Sequence, residues 1–320
     1  MTSRANSSPL KKFFARRKTV EQAPEPREKD SSGVEALLRK VKRIDIISNR
    51  IANDMFSGQY RSAFRGQGIE FDEVREYTEG DDVRTIDWNV TARSNKPYVK
   101  RFSEERERSI LFMLDVSASN LFGSKTSRLD TATEIAASLM FSALKSNDKV
   151  GLLTFVDGVR SFHPPRKGRN YVLRLLREMA SAKPTKGKTD LNAALEYVNR
   201  TLKRRAVVFV ISDFYVQELS ETLDYCTRKH DVVAISITEP LEQAFSNLGF
   251  VTLRDPETGA VVELDSGSKR VRDAISARLA ERRADVESRL KEARVDLITV
   301  ENGGDYVQPL RAFFRNRLRR

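Results

Sequence analysis

Ser109-Ile110-Leu111-Phe112-Met113-Leu114-Asp115-Val116-Ser117-Ala118-Ser119 is the stretch whose reading decides the fold. An unbroken apolar run of strand length predicts a parallel β-strand buried on both faces. The run stops abruptly in one carboxylate and two hydroxyls at alternate positions. Open α/β sheets hold their ligands outside the carboxyl ends of such strands. In the turn that follows, Asp115, Ser117 and Ser119 can converge on one point. Three hard oxygen donors suit magnesium, which prefers a near-octahedral oxygen shell and usually keeps some of its waters.

Downstream, the pattern alternates. Leu129, Ala132, Ala136, Leu139, Met140 and Ala143 mark an amphipathic helix. Residues 150–156 predict the next strand, closed by an Asp157-Gly158 turn. Helices are expected over 171–179 and 191–202, with His163 and Pro164-Pro165-Arg166-Lys167-Gly168 in a loop between strand and helix. Residues 206–211 form another fully apolar strand ending in Ser212-Asp213, and a helix around 219–228 leads to a fourth strand over 232–237. Residues 251–264, broken by Asp255-Pro256-Glu257-Thr258-Gly259, predict a β-hairpin. A basic helix over 269–294 carries Val271, Ile275, Leu279, Val286 and Leu290 on one face, and 295–300 is a last strand. Alternation of this kind predicts an α/β fold with a doubly wound, mainly parallel sheet over 109–303. A basic segment follows at 304–320.

Upstream, residues 1–32 are rich in Ser, Pro and charge and predict a disordered basic tail. Its segment from Lys11 to Lys18 could touch an anionic membrane surface or an acidic partner. A helix is expected over 33–58, from Val34, Leu37, Leu38, Val41, Ile44, Ile51 and Met55 up to Gly58, and a short extended piece at Tyr60, Ser62 and Phe64. Residues 59–108 form a smaller β-containing segment in which charges of both signs alternate with aromatics. Phe71, Tyr77, Ile86 and Trp88 call for burial there. Glu76, Asp81, Asp82 and Asp87 read either as functional carboxylates or as partners of Arg75, Arg84 and Arg93, and the structural reading is preferred.

The totals narrow the classes. The 320 residues carry a net charge of +12, from 57 Lys and Arg against 45 Asp and Glu, which favours acidic partners, nucleic acid or anionic lipid without choosing among them. One cysteine, Cys226, excludes an intrachain disulfide framework and a cysteine-based zinc site. Two histidines, His163 and His230, leave little for a histidine metal site. No apolar run approaches the ~20 residues of a membrane span, and no apolar leader precedes a cleavage site, so a cytoplasmic location is expected.

Asp115/Ser117/Ser119, then Thr189 in Lys186-Gly187-Lys188-Thr189-Asp190, then Asp213 all fall at predicted strand ends or the loops beside them. Each alone has an ordinary reading: Thr189 could cap the helix that starts at Asp190, and Ser212-Asp213 could open one. Together they resemble the metal-ion-dependent adhesion site of von Willebrand factor A domains. Glu79-Gly80-Asp81-Asp82-Val83-Arg84-Thr85-Ile86-Asp87-Trp88 and Thr91-Ala92-Arg93 resemble the signature of the domain-of-unknown-function family number fifty-eight. Val150-Gly151-Leu152 and Pro164 to Gly168 fit it too. The resemblance implies Mg²⁺ (or Mn²⁺) held by Asp115, Ser117, Ser119, Thr189 and Asp213, with an acidic residue of a partner in the open position. It also implies an adaptor working beside a MoxR-type AAA+ ATPase in protein maturation or remodelling.

Two rivals stand beside this non-enzymatic reading. A metal-dependent phosphotransferase of haloacid-dehalogenase type also starts from an aspartate after an apolar strand. It needs a second acid two residues on, where Ser117 sits. A nucleic-acid binder would use the basic charge, but no base-reading motif accompanies it. Gly187-Lys188-Thr189 lacks the earlier glycine of a phosphate loop, so ATP hydrolysis belongs to another protein.

Overall fold

The structure is a computed structural model that describes residues 69–94, 96–104, 107–121, 126–185, 187–215, 221–240, 247–254, 260–317 and 319, with Arg39 and Lys42. The expected tail at 1–32 and the extended piece at 60–64 lie outside the described residues. Of the helix expected over 33–58, only Arg39 and Lys42 are described, both helical and exposed.

Strand β1 (Ile69–Glu76) leads through a turn and the short helix α1 (Trp88–Ser94) to β2 (Tyr98–Glu104). The two strands pair antiparallel, with an irregularity between Phe71 and Glu73. Carboxylates shape the connection, as the structural reading expects. Asp81 takes a two-pronged ion pair from Arg75 (2.6 and 2.9 Å) and a backbone N–H from Thr78. Asp82 caps the turn at Val83–Thr85 by accepting from the Arg84 N–H, and Asp87 accepts from the N–H groups of Asn89 and Val90. Two expected partners differ. Glu76 pairs with Lys96 and Asp87 with Lys100 rather than with arginines. The expected burial of Trp88 is wrong: it is 70% exposed, at the first position of α1.

The main sheet starts with β3 (Ser109–Asp115), followed by α2 (Arg128–Lys145), β4 (Lys149–Phe155), β5 (Val159–Arg166), α3 (Arg169–Ser181) and α4 (Leu191–Thr201). It continues through β6 (Val207–Ser212), α5 (Glu221–Lys229) and β7 (Asp231–Thr238). The separate antiparallel hairpin of β8 (Phe250–Arg254) and β9 (Val261–Asp265) follows, then α6 (Lys269–Glu292), β10 (Asp296–Glu301) and α7 (Val307–Arg317). The sheet order is β10-β7-β6-β3-β4-β5, parallel except for β5. The central strand β3 is buried on both faces. Ile110, Phe112 and Leu114 pack toward α2, α3 and α7, and Leu111 and Met113 toward α4, α5 and the end of α6. Each such side chain is worth about 1.5–3 kcal/mol of burial, which fixes where the end of β3 must lie.

Three elements differ from expectation. The loop expected around His163-Pro164-Pro165 is the edge strand β5, where proline is tolerated because only one side is paired. Its close approach to β4 requires Gly151, since a Cβ there would lie 2.7 Å from the His163 carbonyl. The segment 304–320, read only as basic, contains α7, with Leu310 and Phe314 fully buried. Arg317 anchors this helix on Asp231 and on Asp296 (3.1 Å), at the starts of β7 and β10. The expected apolar face of α6 is only half-buried, apart from Leu290. No helix among the described residues is long and apolar enough to cross a membrane.

Candidate metal-ion site

β3 and β6 are neighbours whose chains continue to opposite sides of the sheet, β3 toward β4 and β6 toward β7. That makes their carboxyl ends the topological switch point, where α/β sheets open a crevice. The register pairs Leu114 with Ile211, so Asp115 stands beside Ser212. Both carboxylate oxygens of Asp115 are held: the Ser117 N–H donates to Oδ1 (2.9 Å) and the Ser212 hydroxyl to Oδ2 (2.7 Å). Asp115 is 1% exposed. Burial, and then the negative charge of Asp213, push its carboxyl up to about 6. A buried carboxylate facing a second one is a site that a cation would relieve.

The hydroxyls come next. A tight turn at Ala118–Leu121 brings Ser117 Oγ and Ser119 Oγ within 2.9 Å of each other. Asn120 Nδ2 props the turn by donating to the Asp115 carbonyl (3.2 Å) and to Ser117 Oγ (3.1 Å). The loop between α3 and α4 runs alongside. Ser117 bridges Thr185 in parallel fashion, the Thr185 N–H donates to the Val116 carbonyl (3.1 Å), and the Asp190 N–H to the Val156 carbonyl (2.6 Å). Gly187 lets this loop lie close, since a Cβ there would be 3.2 Å from the Val156 side chain. Thr189 is buried in it, and its Oγ1 has no hydrogen-bond partner among the described residues. Thr189 is not the cap of α4. Asp190 is, exposed and accepting from the Ala193 N–H (3.0 Å).

Asp213, just past β6, accepts from the Tyr215 N–H at Oδ1 (3.0 Å) and from Arg128 at Oδ2 (3.1 Å). Arg128 also faces Glu239 (3.4 Å), which accepts from Asn302 Nδ2 (2.7 Å), while Thr131 donates to Asn302 Oδ1 (2.5 Å). All of these side chains are buried. The sequence reading missed Ser212, Asn120, Arg128, Glu239 and Asn302. Glu239 and Asn302 carried a usable signal, because each directly follows a strand of the same parallel sheet. Arg128, the first residue of a helix, carried no such signal.

Among the described residues no three or more of His, Cys, Asp and Glu gather as a metal cluster. The acids at the switch point are two, and the rest of the donor set is hydroxyl. Counted along the chain, the sheet order is 3-2-1-4-5-6 with the third strand reversed. That order, with its reversed edge strand, is the fold of a von Willebrand factor A-like domain.

Within that class, the chain belongs to the family described as "Protein of unknown function DUF58", which residues 73–285 match. An uncharacterized protein of Mycobacterium bovis is 28% identical over 287 residues, covering 88% of this chain and 90% of its own. Among solved structures, an aerotolerance-related membrane protein from Bacteroides fragilis is similar at 18% identity and a TM-score of 0.45, over 66% of this chain and 98% of that one. Proximal thread matrix protein 1 of the mussel byssus, solved with a zinc-occupied MIDAS motif, is similar at 16% identity and a TM-score of 0.31, over 41% of this chain and 38% of that one. The family rests on the sequence match and the fold class on the strand order.

Proposed function

We propose that the protein is a non-enzymatic adaptor in which Asp115, Ser117, Ser119, Thr189 and Asp213 hold Mg²⁺ or Mn²⁺ to capture an acidic side chain of a partner. The observation that carries this reading is the Thr189 hydroxyl. It is buried without a partner among the described residues, in the loop bridged to Ser117. A buried polar group left unpaired costs about 1–3 kcal/mol, so it persists where something else engages it. The donors fit the ion. All five are hard oxygens, and the one thiol, Cys226, is buried in α5, so magnesium or manganese is favoured over zinc.

Bound there, the cation would supply an electrophilic position for an outside carboxylate. The chain's own residues keep that position effective. Ser212 and the Ser117 N–H aim Asp115, Asn120 braces Ser117, and Arg128 fixes Asp213 while offsetting part of its charge. With so little acidic charge around it, the ion retains enough positive character to attract a further anion.

In this reading the module is 109–303, with 59–108 as an appended segment. The partner is a MoxR-type AAA+ ATPase, and the setting is protein maturation or remodelling in the cytoplasm, where ATP is at hand. The basic segment at 11–18, outside the described residues, adds contact with an anionic membrane surface. The phosphotransferase reading is set aside because Ser117 occupies the position its general acid would need, and binds Ser119 and Asn120. Calorimetric titration with Mn²⁺ and Mg²⁺ tests the proposal. The folded wild type takes up one divalent ion, and Asp115→Ala abolishes uptake while circular dichroism stays native. Absence of uptake by the wild type, or phosphatase turnover that depends on Asp115, would sink it.

A further inference from the structure

The loop after Asp213 carries Tyr215, whose N–H donates to Asp213 Oδ1 (3.0 Å), so this residue and the acid are positioned together. Two arginines lie over the Tyr215 ring. Arg128, at 5.8 Å from the centroid, is buried and engaged with Asp213 and Glu239. Arg282, from the middle of α6, is 4.1 Å from the centroid and exposed. It has no carboxylate partner among the described residues. Other arginines on the same helix do, Arg278 pairing with Glu281 (2.8 Å) and Arg289 with Asp285 (3.0 Å).

An arginine this close over an aromatic ring favours laying the flat face of its guanidinium on it. Its five N–H donors lie in the plane and remain available, in a fork that matches a carboxylate. An arginine held on a ring has also lost much of the side-chain freedom that makes exposed ion pairs weak. Arg282 is therefore a pre-positioned anion receptor on α6, held over the loop that carries Asp213 and distinct from the five oxygen donors.

We propose that Arg282, stacked on Tyr215, is a second anchor for the partner, so that the module selects a segment bearing two acidic side chains rather than one. This rests on the adaptor reading above. One carboxylate goes to the ion position and the second pairs with the Arg282 fork. The segment that fits is an extended acidic stretch of a protein, with its two acids a few residues apart.

The test uses the full chain and two sets of acetylated, amidated peptides. One set carries two glutamates separated by one to five glycines. The other has the second glutamate replaced by glutamine. Binding is followed by NMR titration in saturating Mg²⁺ and again in EDTA, and Mn²⁺ uptake is measured separately. The expected result is a roughly five- to tenfold tighter Mg²⁺-dependent affinity for the two-acid peptide at a preferred spacing. Arg282→Ala and Arg282→Gln bring that ratio to about one, Tyr215→Leu lowers it, and Tyr215→Phe, which keeps the ring, preserves it. A wild-type ratio near one at every spacing, or an excess that survives Arg282→Ala, overturns the proposal while the ion site stands. Failure of Mn²⁺ uptake by the wild type overturns the adaptor reading itself.

Discussion

The segment from β1 to β2 and the carboxyl end of β3 and β6 both concentrate acids, and they handle them in opposite ways. In the first, Asp81 is met by Arg75 and by the Thr78 N–H, within six residues, at the surface. Its carboxyl is held down near 2, first by the Arg75 hydrogen bond. In the second, Asp115 lies buried beside Asp213, and its carboxyl is pushed up to about 6. One region has settled its charges within its own short segment, Glu76 with Lys96 and Asp87 with Lys100 as well. The other keeps two acids buried side by side at a crevice, with an unsatisfied threonine hydroxyl in the adjoining loop. Two acids kept together in a buried place suit the ion site proposed above.

The largest expected effect comes from removing the buried arginine at the second region. Arg128→Met leaves Asp213 and Glu239 buried without it, and should cost about 3–5 kcal/mol of stability, read by urea denaturation of the metal-free protein. A loss under about 1 kcal/mol would mean that these acids are better solvated than their burial indicates.

The next effect is pH-dependent, and two groups oppose each other. Asp115 titrates near 6 when folded against 3.8 unfolded, so the folded chain holds the extra proton between those values. Metal-free protein therefore gains stability from Asp115 as the pH falls from 6 toward 4. His230 acts in the other sense. Its Nδ1 accepts from the Ala206 N–H, and burial pushes its imidazole down to about 4 from 6.5. The unfolded chain then holds the extra proton, and stability is lost over 6.5 to 4. The two largely offset in the metal-free wild type. Asp115→Asn should therefore raise stability at pH 7 by about 2–3 kcal/mol and make melting temperature fall steadily with acid. Saturating Mg²⁺ should give the wild type the same acid sensitivity. A metal-free Asp115→Asn protein with a flat profile would break the comparison.

The smallest effect belongs to the first region. Arg75→Ala should lower the melting temperature slightly, with the difference from wild type shrinking in high salt, as befits a surface pair. It should leave divalent uptake alone. A change in Mn²⁺ affinity on Arg75→Ala would join the two regions that the account keeps apart.

Much of this was legible beforehand because it depends on local pattern. β3 and β6 are continuous apolar runs and β7 is broken only by Ser236, and each ends in polar residues, so both the sheet and its crevice can be read from them. What was hidden depends on distant partners. β5 was masked by Pro164-Pro165, which an edge strand tolerates and a central one would not. α7 was masked by its arginines, which obscure Leu310 and Phe314. Arg128, Glu239 and Asn302 meet only when the sheet gathers distant residues into one cluster, Glu239 and Asn302 coming from 63 positions apart. Trp88 misled in the other direction, since an aromatic among charges was expected inside and stands exposed.

The central claim is that the Thr189 hydroxyl is spare in the protein alone and needed by the ion. Thr189→Val keeps the shape and removes only that oxygen, and calorimetric Mn²⁺ titration beside metal-free thermal melting reads both halves. The account predicts at least tenfold weaker Mn²⁺ binding with a melting temperature equal to or above that of the wild type. Unchanged Mn²⁺ affinity, or a marked loss of metal-free stability, would contradict it.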